Sequence, residues 1–198
     1  MSTIVTRSGK GSPLTNTEVD SNFTNLNTDK YQSGDDPSFG SITATSGIFL
    51  GGTQAQNKLD YYDEGTFDAK LADAESGGNE ATVTTTQAYY TRIGQLVTIH
   101  VRFAAIDTTG MTSTNQLFIT GLPFNNRGNS VAPATLYTVQ VDSGTQSTGT
   151  FGLLAGGQDN VPLRVVYEGG GTSNLLVSSI NNNTAQITTS FSYITLDT

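Results

Sequence analysis

Apolar and polar side chains alternate one by one along QLVTIHVRFAAI: Val97, Ile99, Val101 and Phe103 share one side, and Leu96, Thr98, His100 and Arg102 the other. A period of two marks a half-buried β-strand. Gly94 separates this run from ATVTTTQAYYTRI, a second stretch of β type. Further strands are expected at Gln116 to Thr120, Ala134 to Val141, Thr148 to Leu154, Leu163 to Tyr167, Leu175 to Ile180 and Ala185 to Leu196. In the last, Ile187, Thr189, Phe191, Tyr193 and Thr195 alternate with Thr188, Ser190, Ser192, Ile194 and Leu196. Turn signals recur about every eight to fifteen residues, the rhythm of antiparallel sandwiches and jelly rolls. No helical pattern competes after Lys30.

The pattern differs before that point. Residues 1 to 13 form a polar, glycine-rich arm that reads as an extended tail. Thr15 and Glu18 then have the spacing of a capping box, in which a hydroxyl and a carboxylate each satisfy a free backbone N–H. A helix is expected from there to about Lys30, with Val19, Phe23 and Leu26 at i, i+4 and i+7 as one narrow apolar stripe. Helices shorter than about 12 to 15 residues are marginal in water, so this stripe needs a partner. The segment YQSGDDPSFG has linker chemistry. SITATSGIFLGG, from Ser41 to Gly52, holds two short β-type runs, each too small to build a sheet alone. The expected organisation is therefore an arm and helix over 1–30, a linker and stem over 31–66, and a β head over 67–198.

Composition limits the partners. Only 13% of the 198 residues are charged, and 17 acidic against 9 basic residues leave a net charge of −8. No cluster of Lys and Arg is available to displace counterions from nucleic acid, and anionic membrane surfaces are disfavoured for the same reason. The absence of cysteine removes disulfides, thiolate nucleophiles and sulfur-ligated zinc. The N-terminus lacks an apolar leader core, and no run of about 18 apolar residues occurs, so synthesis and maturation in the cytoplasm are expected.

Three places invite a catalytic reading. KLDYYDEGTF puts Asp60, Asp63 and Glu64 among Tyr61, Tyr62 and Phe67. A glycosidase pair must face across a sugar, however, and these acids fall within five residues just before a strand. The favoured reading is a joint in which Tyr61, Tyr62 and Phe67 pack a head onto a stem while the acids stay solvated. His100 is the sole histidine, and without a G-x-S-x-G elbow a structural or inter-subunit role is expected for it. The clusters Gly51-Gly52, Gly156-Gly157 and Gly169-Gly170-Gly171 lack the Lys-Ser/Thr of a phosphate loop and read as turns. Asp35-Asp36 and Asp159-Asn160 offer oxygen ligands for calcium but no complete loop motif. No catalytic residue, metal or cofactor is expected.

Several motifs resemble a known group. TRSGKGSPLTNTEVDSNFTNLNTDKY is similar to the opening of short tail-fibre and fibre-like virion proteins of tailed bacteriophages of marine bacteria and cyanobacteria. FLGGTQAQNKLDYYDEGTF resembles the glycine turn and N-K-L-D-x-Y-E-E-G-T-W element before their C-terminal domain, with Asp63 and Phe67 standing where that pattern often has another acid and Trp. AYYTRIGQLVTIHVRF resembles their Y-T-K-I-G-N-L-V-T-V strand pair, and ITGLPF their I-S-G-L-P-F. These motifs cover about half the chain in the same order; the loops from Asn125 to Thr184 lie outside the resemblance. It implies a non-enzymatic homotrimer of the virion tail. The N-terminus, with Val19, Phe23 and Leu26, would contact other virion proteins at an adaptor or nozzle. An intertwined β stem would follow, then a jelly-roll-like sandwich head meeting a host-surface glycan or protein. A capsid-head fibre or decoration protein has the same construction, and a glycan-cleaving tailspike is the enzymatic alternative, although no repeat of fixed period supports a β-helix.

Overall fold

The computed structural model describes residues 4–29, 44, 47–51, 54, 58–59 and 61–196. The linker 31–40, the first of the two short β-type runs apart from Ala44, Asp35, Asp36 and Asp60 lie outside the described residues. Two compact units divide the chain, Met1–Thr45 and Ser46–Thr198.

The first unit is helical. The capping box forms as its spacing predicts: the Thr15 N–H donates to Glu18 Oε2 at 2.7 Å, and the Glu18 N–H donates to Thr15 Oγ1 at 3.3 Å. These bonds satisfy donors that the start of a helix leaves free, and helix α2 runs Asn16–Asp29. The arm is not wholly extended. Thr6 caps a single turn, α1 (Arg7–Lys10), by accepting from the Gly9 N–H at 3.1 Å, and Gly11 closes it at φ 75°, where a side chain would be strained. Asn22 fastens the arm to α2 by exchanging two bonds with the Val5 backbone, at 2.9 and 2.8 Å.

The second unit is mainly β. Strands β1 (Ile48–Phe49) and β2 (Lys58–Leu59) pair with each other antiparallel within this chain. The remaining strands are β3 (Tyr62–Thr66), β4 (Lys70–Ala72), β5 (Thr82–Ile93), β6 (Leu96–Asp107), β7 (Phe118–Thr120), β8 (Ala132–Val139), β9 (Ser147–Leu154), β10 (Val161–Tyr167), β11 (Thr172–Asn174) and β12 (Ala185–Ile194). They form one antiparallel sheet in the order β3-β5-β6-β12-β8-β9-β10-β7-β4, with β11 added beside β10. The sheet curls so that its two halves share one apolar core, a sandwich-like head. The alternation in β6 is realised: Val97, Ile99, Val101 and Phe103 are fully buried against Ile119, Leu154 and Leu163 of the opposite half. In β12, Ile187, Thr189, Phe191 and Tyr193 face inward, and Thr189 satisfies its buried hydroxyl by donating to the Thr135 carbonyl at 2.9 Å.

Two expectations are corrected. Leu175 to Ile180 is not a strand. Leu175, Val177 and Ile180 are buried, but a 3-10 turn at Val177–Ser179 separates them, and the segment spends its hydrogen bonds on Leu117, Asn115 and Leu163 across the core. The head sheet also begins before residue 67, because β3 pairs along its whole length with β5 from Tyr62↔Ile93 to Thr66↔Tyr89.

Close packing explains two glycines. Gly121 has φ 80°, and a Cβ there would lie 2.5 Å from the Asp68 carbonyl oxygen. Gly152 faces Val161 inside the core at 2.4 Å from where a Cβ would be. The buried carboxylate of Asp73 holds two loops together, accepting from the Thr112 N–H and the Asn79 N–H, each at 2.8 Å. The Thr112 bond, followed by those from Asn79, keeps its pKa below the usual carboxylate value.

Candidate functional site

Strand β3 divides the motif that looked catalytic. Tyr61, Asp63, Gly65 and Phe67 are half-buried, whereas Tyr62, Glu64 and Thr66 are exposed on the other side. Tyr61 and Phe67 join a half-buried aromatic cluster at one end of the sandwich. The guanidinium of buried Arg92 stacks 3.8 Å from the Tyr61 ring centroid and 4.7 Å from that of Phe124. Its Nε donates to the Gly94 carbonyl at 2.9 Å. Phe67 meets Tyr90 edge-on at 6.4 Å, and Tyr90 meets Phe124 edge-on at 5.5 Å. Gly65 lies opposite Tyr90, where even a Cβ would come within 3.3 Å of the ring. Removing the side chain lets the tyrosine lie across β3.

Of the three aromatic residues expected at a stem–head joint, Tyr61 and Phe67 lie in this cluster of the head itself and Tyr62 does not. Tyr62 points away from the cluster because successive side chains on a strand face opposite sides. Its hydroxyl donates instead to Glu64 Oε2, a bond that raises the Tyr62 pKa. Asp63 is not free in solvent either, since it accepts from the Tyr90 hydroxyl at 2.9 Å, which raises the Tyr90 pKa. The two carboxylates of a glycosidase flank one sugar, whereas Asp63 and Glu64 leave β3 in opposite directions. The participation of Arg92, Tyr90 and Phe124 was not anticipated. Their only sequence signal is an arginine at an inward position of β5, which a non-local aromatic shell must cover.

His100 is on the outer face, where its Nδ1 is 2.8 Å from Ser190 Oγ and its partner on β5 is Tyr89. No group of three His, Asp or Glu side chains that could hold a metal occurs among the described residues. No described helix is long and apolar enough to cross a membrane. In the helical unit, Val19, Phe23 and Leu26 are 37%, 68% and 57% exposed, an apolar stripe uncovered in the single chain.

A groove of about 420 Å³ opens at the end of the sheet opposite Tyr61. The register fixes this polarity: β6 begins beside Gly94, whose N–H donates to the Tyr61 carbonyl, and ends where Asn183 bonds Ile106. Asp142, Ser143, Tyr167, Ser173, Asn174 and Ser179 line the groove, with no basic side chain. Its walls are tied together, with the Asp142 N–H donating to the Ser179 carbonyl at 2.7 Å and Ser173 Oγ donating to the Tyr167 hydroxyl at 3.1 Å. One aromatic face among hydroxyls and amides suits a ligand with apolar CH faces and many hydroxyls.

No family model matches this chain, and no curated protein matches it.

Glu18 carries a pH dependence. Bonds from the Lys10 ammonium first, then from Thr15, bring its pKa down from 4.5 to about 2. A folded-state value below the unfolded one stabilises the charged form, so the cap's contribution is complete above about pH 4.5 and is lost as pH falls towards 2. The protection of the amides of residues 16–19, taken relative to intrinsic exchange at each pH, should fall across that window in the native protein and stay flat in Glu18→Gln. An equal loss of protection in both would remove the cap from the account.

Proposed function

We propose that this chain is a non-enzymatic structural protein of a bacteriophage tail fibre. Three copies assemble, the N-terminal unit attaches to other virion proteins, and the β unit contacts the host surface. The observation that carries this reading is the exposed stripe Val19, Phe23 and Leu26 on a 14-residue helix. A helix of that length has little stability of its own, and an apolar stripe open to water calls for neighbours supplied by assembly. The resemblance of the N-terminal and KLDYYDEGTF motifs to fibre proteins supports the same reading. Adsorption would use the groove at the far end, where weak contacts to saccharide hydroxyls repeated on three heads gain strength through avidity.

Antibody labelling of this chain on intact particles, viewed by electron microscopy, tests the proposal. Label at the tail in threefold sets supports it. Label on the capsid shifts the reading to a head fibre, and absence from the particle ends it. Incubation with host-surface polysaccharide should release no new reducing ends; their appearance would overturn the non-enzymatic assignment.

A further inference from the structure

The outer face of the sheet carries an apolar row that no motif announces. Register places Tyr62 of β3 beside Ile93 of β5, Ile93 beside Leu96 of β6, and Leu96 beside Ile194 of β12. Tyr62, Ile93 and Leu96 are 59%, 51% and 46% exposed. Four large apolar side chains thus sit side by side across four strands, at the end where the chain enters the head. Scattered apolar residues on a surface are ordinary, but a contiguous row marks a contact.

The rows beyond it are polar and almost uncharged. Glu64, Thr91, Thr98 and Ser192 form the next, then Thr66, Tyr89, His100 and Ser190, then Gln87, Arg102 and Thr188. Several of these groups already bond within the sheet, as Thr98 does with Ser192 at 2.8 Å and Arg102 with Gln186 at 3.0 Å. One acid and one arginine cancel on this face, although the chain as a whole carries −8.

We propose that this face, centred on Tyr62, Ile93, Leu96 and Ile194, is where copies of the chain meet in the head. The inference rests on the three-copy reading and adds its location. Charge selects the occupant. Identical chains at −8 repel one another through most surfaces, and a neutral face is where that repulsion is least. A basic partner would be drawn to the acidic surface instead, and interface cores are depleted in charge as this face is. Four strands about 4.8 Å apart and about 23 Å of strand length, from Ile93 to Gln87 on β5, give a sheet face of roughly 450 Å² per copy before side-chain relief is counted. A standard interface buries about 800 Å² per partner. Three such faces turned to a common axis would cover the row on every copy.

The test uses the full chain. Light scattering should give a trimer for the native protein and for Thr114→Glu in the exposed loop after β6. Ile93→Glu with Leu96→Glu should weaken association at least about tenfold, with the β signal in circular dichroism kept. Hydroxyl-radical footprinting of the unmodified protein provides a second readout that needs no variant: Tyr62 and Leu96 should be protected in the assembled form and react on dilution. A double variant as trimeric as the native protein, or full reactivity of Tyr62 in the trimer, would overturn the proposed face while leaving the three-copy reading standing. A native monomer would overturn both.

Discussion

Phe23→Asp is expected to abolish assembly of the N-terminal unit. Phe23 is the most exposed member of the stripe in the single chain, so the substitution costs an isolated copy almost nothing. Around a threefold axis it would bring three carboxylates together, each losing solvation and each repelling the other two. Deprived of neighbours, a 14-residue helix has little reason to persist. The helical signal at 222 nm should fall while the β contribution of the head remains, and the variant should fail to load onto particles. A variant that keeps its helix and still loads would mean that the stripe serves neither assembly nor docking.

The second large effect concerns the end of the sandwich. Arg92→Ala removes a guanidinium packed between two rings and a bond to the Gly94 carbonyl, leaving a gap beneath Tyr61 and Phe124. A desolvated cation–π contact contributes up to about 2 kcal/mol, and the hydrogen bond about 1 kcal/mol more. A total loss of about 3 kcal/mol is expected, a melting temperature lower by roughly 6–12 °C for a domain of this size. Phe67→Ala should cost less, about 1–2 kcal/mol, because Phe67 is half-buried and the full burial that gives about 3–5 kcal/mol is not reached. Thermal unfolding of both variants checks the order. Equal losses would show that the arginine is not the keystone of the cluster.

These residues also show what a sequence can and cannot carry. The capping box and the alternation of β6 and β12 were legible because each depends on neighbours within a few positions. The stripe on α2 was legible for the same reason. Tyr61 and Tyr62 could not be separated until β3 was known to be a strand, since only strand geometry sends adjacent tyrosines to opposite faces. Arg92 falls on the inward parity of β5, but a local window does not show what covers it; its cover comes from Tyr61 and Phe124, about thirty residues away on either side. The apolar cluster at 175–180 reads as a strand because burial alone does not distinguish a strand from a turn that crosses a core. The row Tyr62, Ile93, Leu96 and Ile194 is invisible without the register, which joins residues from both ends of the domain.

Assembly is the claim on which the functional reading depends, and sedimentation equilibrium of the full chain at micromolar concentration tests it most directly. The account predicts a single species with three times the 20.8 kDa of one chain. A stable monomer at that concentration, with its helix and sheet intact, would contradict it.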